Sequence, residues 1–189
     1  MFPIVIKPRR FDDERGWFSE TYNAKKLAAH GITDTFCQDN QSLSRAVGTL
    51  RGLHFQRPPF VQAKLVRCLT GRIFDVIVDI RRQSPTFGRW VGTVLGADDG
   101  RQLYVPSGYA HAFLTLEPDS MVAYKVDAFY SAACEGGVVW NDPDIAIEWP
   151  LDAAPLLSTK DAALPPLAEV DSGFDFDGVP LGELREIEV

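Results

Sequence analysis

Short runs of β-branched and aromatic residues, each bounded by turn residues, recur about every ten positions through the middle of the chain, and this spacing constrains the fold most. Residues 73–80 read Ile-Phe-Asp-Val-Ile-Val-Asp-Ile, preceded by Gly71 and followed by Ser84-Pro85. Such a run is too short for a typical helix and suits a strand. Similar segments lie at 63–69, 90–95, 102–105, 112–116, 121–126 and 137–140. Many short strands separated by Gly, Pro, Asp or Ser predict an all-β sandwich or barrel. No long helical pattern alternates with them, which disfavours a parallel βαβ sheet. One short helix is expected near the start, with Asn23 as N-cap, residues 25–30 as its body and Gly31 as its stop. After Pro150 prolines become frequent and the last stretch turns acidic. We therefore read residues 1–189 as one domain with 163–189 as a surface tail.

Composition narrows the function. The chain of 189 residues is 46% hydrophobic and 24% charged, values of an ordinary globular protein. Its net charge of −7 argues against a general nucleic-acid or anionic-membrane binder, while leaving room for a local cationic pocket. No stretch is apolar enough to span a bilayer as a helix, and the first ten residues lack the apolar core of a signal peptide. Cys37, Cys68 and Cys134 are odd in number and far apart, with neither zinc spacing nor a disulfide framework. The expected location is the cytoplasm.

Reactive side chains gather in few places: residues 51–56 with Lys64, residues 106–111, Tyr124-Lys125, and Lys160-Asp161. Gly48 with His54, and Pro106-x-Gly108-x-x-His111, resemble the two motifs of the cupins, small β-barrels that often bind a metal. In the metal-binding members the first motif continues with a second His and a Glu. Here Gln56 takes the place of that His, and Lys64 occupies the region of the Glu. An amide is a poor ligand for a transition metal and an ammonium is none, so no metal is expected. Lys64 suits a different task, the stabilisation of a developing oxyanion. His54 beside it suits a general base. Together they fit proton abstraction next to a carbonyl.

A longer set of strings makes the resemblance specific. DERGWFSE at 13–20, QDN at 38–40, LRGLHFQ at 50–56, AKLVRC at 63–68, DVIVDIR at 75–81 and SPTFG at 84–88 are followed by PSGYAH at 106–111, YK at 124–125, WNDP at 140–143 and STKD at 158–161. These resemble the dTDP-4-dehydrorhamnose 3,5-epimerase family over about residues 10 to 162. The resemblance implies a cupin-like double-stranded β-helix, a jelly-roll barrel, with a short N-terminal helix and a C-terminal extension. It implies a cofactor-free isomerase acting on dTDP-4-dehydro-6-deoxy-D-glucose. His54 would be the base, paired with Asp161, and Tyr124 the acid on the opposite face. Lys64 would hold the enolate oxygen, with His111 nearby and Asp75 as a second orienting carboxylate. Arg15, Arg51 and Lys160 match positions that hold the two phosphates. Glu20, Gln38, Asn40 and Glu135 match positions that bind nucleotide or sugar, and Tyr130 a position that stacks near the thymine. A homodimer exchanging its N-terminal segment is implied, so that Arg15 and Glu20 serve a neighbour's site.

Three other readings stand beside this one: a single-site 3- or 5-epimerase of another deoxysugar pathway, a metal-dependent cupin enzyme, and a non-catalytic sugar-nucleotide binding module. One geometric expectation is exposed to test. Arg51 and His54 are three positions apart, so an ideal strand sends them to opposite faces. Both reach one pocket only if Gly52 permits a bulge.

Overall fold

The structure, a computed structural model, describes residues 2–189. Two sheets face one another. The first contains β1 (Ile4–Lys7), β4 (Gln38–Ser44), β6 (Lys64–Thr70), β9 (Gln102–Val105), β11 (Ser120–Val126) and β13 (Arg185–Glu188), in the order β13-β1-β9-β6-β11-β4. The second contains β5 (Leu50–Gln56), β7 (Arg72–Asp79), β8 (Trp90–Gly96), β10 (Tyr109–Thr115) and β12 (Glu135–Gly137), in the order β12-β5-β10-β7-β8. A hairpin of β2 (Arg10–Asp13) and β3 (Gly16–Ser19) stands apart from both. This is the cupin-like all-β barrel that the sequence implies.

The two-residue period of each strand divides its side chains between barrel interior and exterior. Val66, Cys68, Ile73, Ile77, Val105, Phe113 and Val122 fill the apolar half of the interior. The outer face of the five-stranded sheet carries Leu53, Phe55, Val76, Val78, Ala110 and Ala112, covered by Val138, Ile145 and Leu167 from the later chain. The outer face of the six-stranded sheet carries Ile4, Ile6, Leu65 and Tyr104, covered by Leu27 and Ile32.

Leu27 belongs to α1 (Ala24–Ala29), whose N-cap is Asn23 as expected. The Asn23 side chain accepts from the amides of Lys25 and Lys26, and Gly31 follows with φ +87°. The strand read at 137–140 lies earlier, at β12, because Gly137 pairs with His54 and Val138 already turns into the outer core. The C-terminal stretch runs along the barrel. Ser172 donates to the Ile80 carbonyl at 2.6 Å, Leu181 enters the interior core, and β13 pairs in parallel with β1.

Candidate active site

One end of the barrel interior is polar, and the strands bring chemistry there from distant parts of the chain. β5 and β10 pair with His54 opposite His111 and Arg51 opposite Phe113. Two steps on β10 therefore match three on β5. That extra residue is a bulge, and it reverses the parity that would have sent Arg51 outward. Gly52 makes it possible. Its φ is +120°, and a Cβ there would lie 2.6 Å from both the Ala112 Cβ and the His111 carbonyl oxygen. Arg51 and His54 accordingly line the same cavity of about 490 Å³, with Lys64, His111, Tyr124, Lys160 and Asp161.

His54 Nε2 lies 2.6 Å from Asp161 Oδ1, although 107 positions separate them in sequence. Asp161 sits on the four-residue helix α2 (Thr159–Ala162), whose N-cap Ser158 accepts from the Asp161 amide at 3.0 Å. Burial works to raise the Asp161 pKa, but the hydrogen bond and charge of His54 outweigh it and hold the carboxyl below its ordinary value. A second pair lies behind the first. His111 Nε2 is 2.6 Å from Oδ1 of Asp75, which is fully buried on β7. The other carboxylate oxygen, Oδ2, has no hydrogen-bond partner among the described residues.

Lys64, the first residue of β6, is buried and donates to the His54 carbonyl at 3.3 Å. Burial lowers its pKa to about 8, with the charges of Asp75 and Glu135 acting in the other direction. Tyr124 on β11 lies across from Asn40 and Val66. Burial raises its pKa, so the phenol keeps its proton at neutral pH. Arg51 is held by Ser44 Oγ at 3.1 Å and the Leu43 carbonyl at 3.2 Å, both neutral acceptors.

A smaller lobe of about 150 Å³ shares His54, Lys64 and Tyr124 with the first and is lined also by Gln38, Asn40, Tyr130 and Glu135. Gln38 donates to Asn40 Oδ1 at 2.9 Å and accepts from the Tyr130 amide at 3.2 Å. Gln56 borders this lobe, but its amide is spent on the chain. It donates to the Phe60 carbonyl at 2.6 Å and accepts from the Ser131 amide at 2.7 Å. Among the described residues no three His, Cys, Asp or Glu side chains converge as a metal site.

Two of the expected residues lie elsewhere in the chain's own fold. Arg15, at the tip of the β2–β3 hairpin, is 89% exposed and pairs with Asp13. Glu20 pairs with Lys26 beside α1. Neither lines the two lobes. Conversely, Ser158 and Ser44 position Asp161 and Arg51 without having been singled out. The S-x-x-D spacing of 158–161 is a helix-start signal that points to Ser158. No local signal points to Ser44.

A family model described as dTDP-4-dehydrorhamnose 3,5-epimerase matches residues 3–169. The chain is 48% identical over 172 residues to the dTDP-4-dehydrorhamnose 3,5-epimerase of Sinorhizobium fredii, covering 91% of this chain and 88% of that one. Its structure matches that of the Bacillus anthracis dTDP-4-dehydrorhamnose 3,5-epimerase, solved with TDP and PPi bound. The TM-score is 0.85 and the identity 52%, over 87% of this chain and 93% of that one. It also matches a dTDP-6-deoxy-D-glucose-3,5-epimerase from Legionella pneumophila in complex with dTDP-4-keto-L-rhamnose. That match has a TM-score of 0.87 at 44% identity, over 92% of this chain and 93% of that one. A match along nearly the whole sequence, carried by a barrel with the same strand layout, leads to one assignment: this chain belongs to the dTDP-4-dehydrorhamnose 3,5-epimerase family.

Proposed function

We propose that this protein inverts C3 and C5 of dTDP-4-dehydro-6-deoxy-D-glucose without a cofactor, giving dTDP-4-dehydro-L-rhamnose. The observation that carries this reading is the convergence of the His54–Asp161 pair, Lys64 and Tyr124 on one cavity. Both carbons flank the C4 ketone, so removing either proton leaves an enolate whose charge rests on the C4 oxygen.

Each residue takes one role. Asp161 holds His54 through Nε2, which leaves Nδ1 as the ring nitrogen that takes the carbon-bound proton. As His54 becomes cationic, the Asp161 carboxylate stabilises it. Lys64 gives one proton to the His54 carbonyl and keeps the others for the enolate oxygen, a contribution of about 3–4 kcal/mol for a well-placed donor. His111, fixed by Asp75 through Nε2, presents its ring to the same cavity. Tyr124, held protonated by burial, returns a proton from the opposite face and converts exchange into inversion. No electrons leave the substrate, so the chemistry calls for no nicotinamide, and Lys64 takes the place at the enolate oxygen that a metal cation would otherwise fill. Arg51 and Lys160 serve the diphosphate, and Gln38, Asn40, Tyr130 and Glu135 the nucleoside and sugar.

The assembly we propose is a homodimer that exchanges its N-terminal segment, which includes the β2–β3 hairpin and Glu20. The hairpin carries Phe11, Trp17 and Phe18, each at least half exposed, and bears Arg15 away from the chain's own cavity. In a partner's site Arg15 and Glu20 would complete the nucleotide contacts. The cytoplasm is the proposed location, supported by three unpaired cysteines. Among the described residues no helix is long and apolar enough to cross a membrane.

Incubation with dTDP-4-dehydro-6-deoxy-D-glucose in D₂O, read by NMR, tests the reaction. Deuterium at both C3 and C5 is expected, with the inverted product trapped by a reductase. Deuterium at one carbon would make the protein a single-site epimerase, and none would leave only a binding module.

A further inference from the structure

An ion pair bridges the two lobes of the cavity. Glu135 on β12 meets Lys160 on α2 through Oε1, while its Oε2 accepts from the Tyr130 hydroxyl at 3.0 Å. The carboxylate is presented from a firm base. The Glu135 carbonyl accepts from Arg57 at 2.8 Å, and Glu135 lies opposite Gln56 in the sheet. Lys160 lines the larger lobe, and Glu135 and Tyr130 line the smaller.

The pair is unusual for its place. Arg51, Lys64 and Lys160 are the lysines and arginines of the larger lobe. Arg51 and Lys64 are held by neutral oxygens, Ser44 Oγ, the Leu43 carbonyl and the His54 carbonyl. Among the described residues Lys160 alone of the three contacts a carboxylate. Burial works to raise the Glu135 pKa, but Lys160 and Tyr130 together hold it below its ordinary value, so the group is an anion at neutral pH. A cation proposed for the diphosphate is thus already matched by an internal anion.

We propose that Glu135 is a resident stand-in for the substrate's diphosphate, which occupies Lys160 in the free protein and is displaced when a diphosphate enters. The inference rests on the function proposed above, since it takes the ligand to be a nucleoside diphosphate sugar. A diphosphate outcompetes the single carboxylate because it carries more charge and reaches Arg51 as well as Lys160. A nucleoside or sugar without phosphate offers Lys160 nothing in exchange, so the latch stays shut. Glu135 is therefore a specificity residue. The exchange takes place one residue from Asp161, on the same short helix.

Calorimetric titration with inorganic pyrophosphate tests the latch in wild type, Glu135→Gln, Lys160→Met and the double variant. Glu135→Gln is expected to bind pyrophosphate at least about five-fold tighter, the lower end of a typical coupling between sites. Lys160→Met is expected to bind it more weakly, and adding Glu135→Gln to it should restore nothing. Equal or weaker binding by Glu135→Gln overturns the proposal. So does a gain that persists without Lys160, or the absence of pyrophosphate binding by every variant. Deuterium exchange on dTDP-4-dehydro-6-deoxy-D-glucose is measured alongside in wild type. Exchange without the expected gain removes the latch alone, whereas no exchange removes the functional reading itself.

Discussion

Lys64 works against the stability of the fold that holds it. An ammonium taken out of water favours its neutral form, and Asp75 and Glu135 offset that only in part, which leaves its pKa at about 8. Two outcomes follow. Activity should fall as pH rises through about 8, because in the proposed mechanism the enolate would then lose its cation. Asp75→Asn, which removes one supporting charge, should move that fall to lower pH in a profile of kcat/KM. For stability the sign runs the other way. Between about 8 and the ordinary lysine value of 10.5 the unfolded chain binds more protons, so stability rises with pH across that window. Lys64→Met removes the penalty, and urea unfolding at pH 7 should show it more stable than wild type by up to about 3 kcal/mol. Its exchange rate should fall by about 10²-fold or more. Asp161 poses no such conflict. Its lowered pKa keeps it ionised through the neutral range, and Asp161→Asn should cut kcat by about 10²–10⁴ while KM changes little, read by the same NMR exchange. Residue types alone suggest a base in His54 and an oxyanion donor in Lys64, and the resemblance adds Tyr124 as the acid. Residue types do not disclose that Asp161 meets His54, because 107 positions separate them and no local pattern encodes that contact. Family resemblance supplied the pair.

At the scale of the element, the bulge in β5 decides what the strand can do. A regular ladder would place either Arg51 or His54 in the cavity, and the extra residue places both there. Gly52→Ala would drive a Cβ into Ala112 and the His111 carbonyl, at a φ that side chains rarely adopt. The expected cost is about 1–3 kcal/mol in thermal or urea unfolding, with loss of exchange activity beyond what the stability change explains, since His54 and His111 face each other across the same bulge. The need for this irregularity was legible, because the spacing of Arg51 and His54 conflicts with strand parity and a glycine lies between them. The long inner strands were legible too: residues 73–80 correspond to β7, whose β-branched run is buried, and 121–126 to β11, where Val122 and Val126 are buried. The hairpin β2–β3 and the edge strand β13 were not, because their side chains are mostly exposed and leave no apolar period. The four residues of α2 fall below any helical period, and only the Ser158 cap marks them.

For the whole molecule the question is what holds the C-terminal stretch to the barrel. The acidic C-terminal stretch, read from composition as a surface tail, is held to the barrel by the ion pairs of Arg82 with Asp171 and Asp175 and of Arg101 with Glu186, and by one buried arginine. Arg81 is 2% exposed, holds Asp79 with two bonds of 2.9 and 2.7 Å, and reaches Asp177 of the C-terminal stretch at 2.7 Å. Its guanidinium lies between the rings of Tyr109 and Phe176. Composition could not show this, because the same acidic residues would solvate a free tail equally well. Arg81→Met therefore tests the fastening. It strands Asp79, a buried carboxylate that keeps its bonds from Ser84 and Thr86. Breaking such a pair costs about 3–5 kcal/mol, and the surviving hydroxyl bonds place this case toward the lower end. The pH dependence identifies the cause. Burial works to raise the Asp79 pKa, but Arg81, Ser84 and Thr86 together hold it below its ordinary value. In wild type that stabilisation is present above about pH 4 and is lost as pH falls through the lowered value. In Arg81→Met much of it is already gone at neutral pH, so urea unfolding should show a large gap between variant and wild type at pH 7 and a smaller one near pH 3. A gap of equal size at both would mean that the loss is of packing around Tyr109 and Phe176, not of charge. Because Arg81 lines neither lobe of the cavity, the exchange rate should match wild type wherever the variant remains folded.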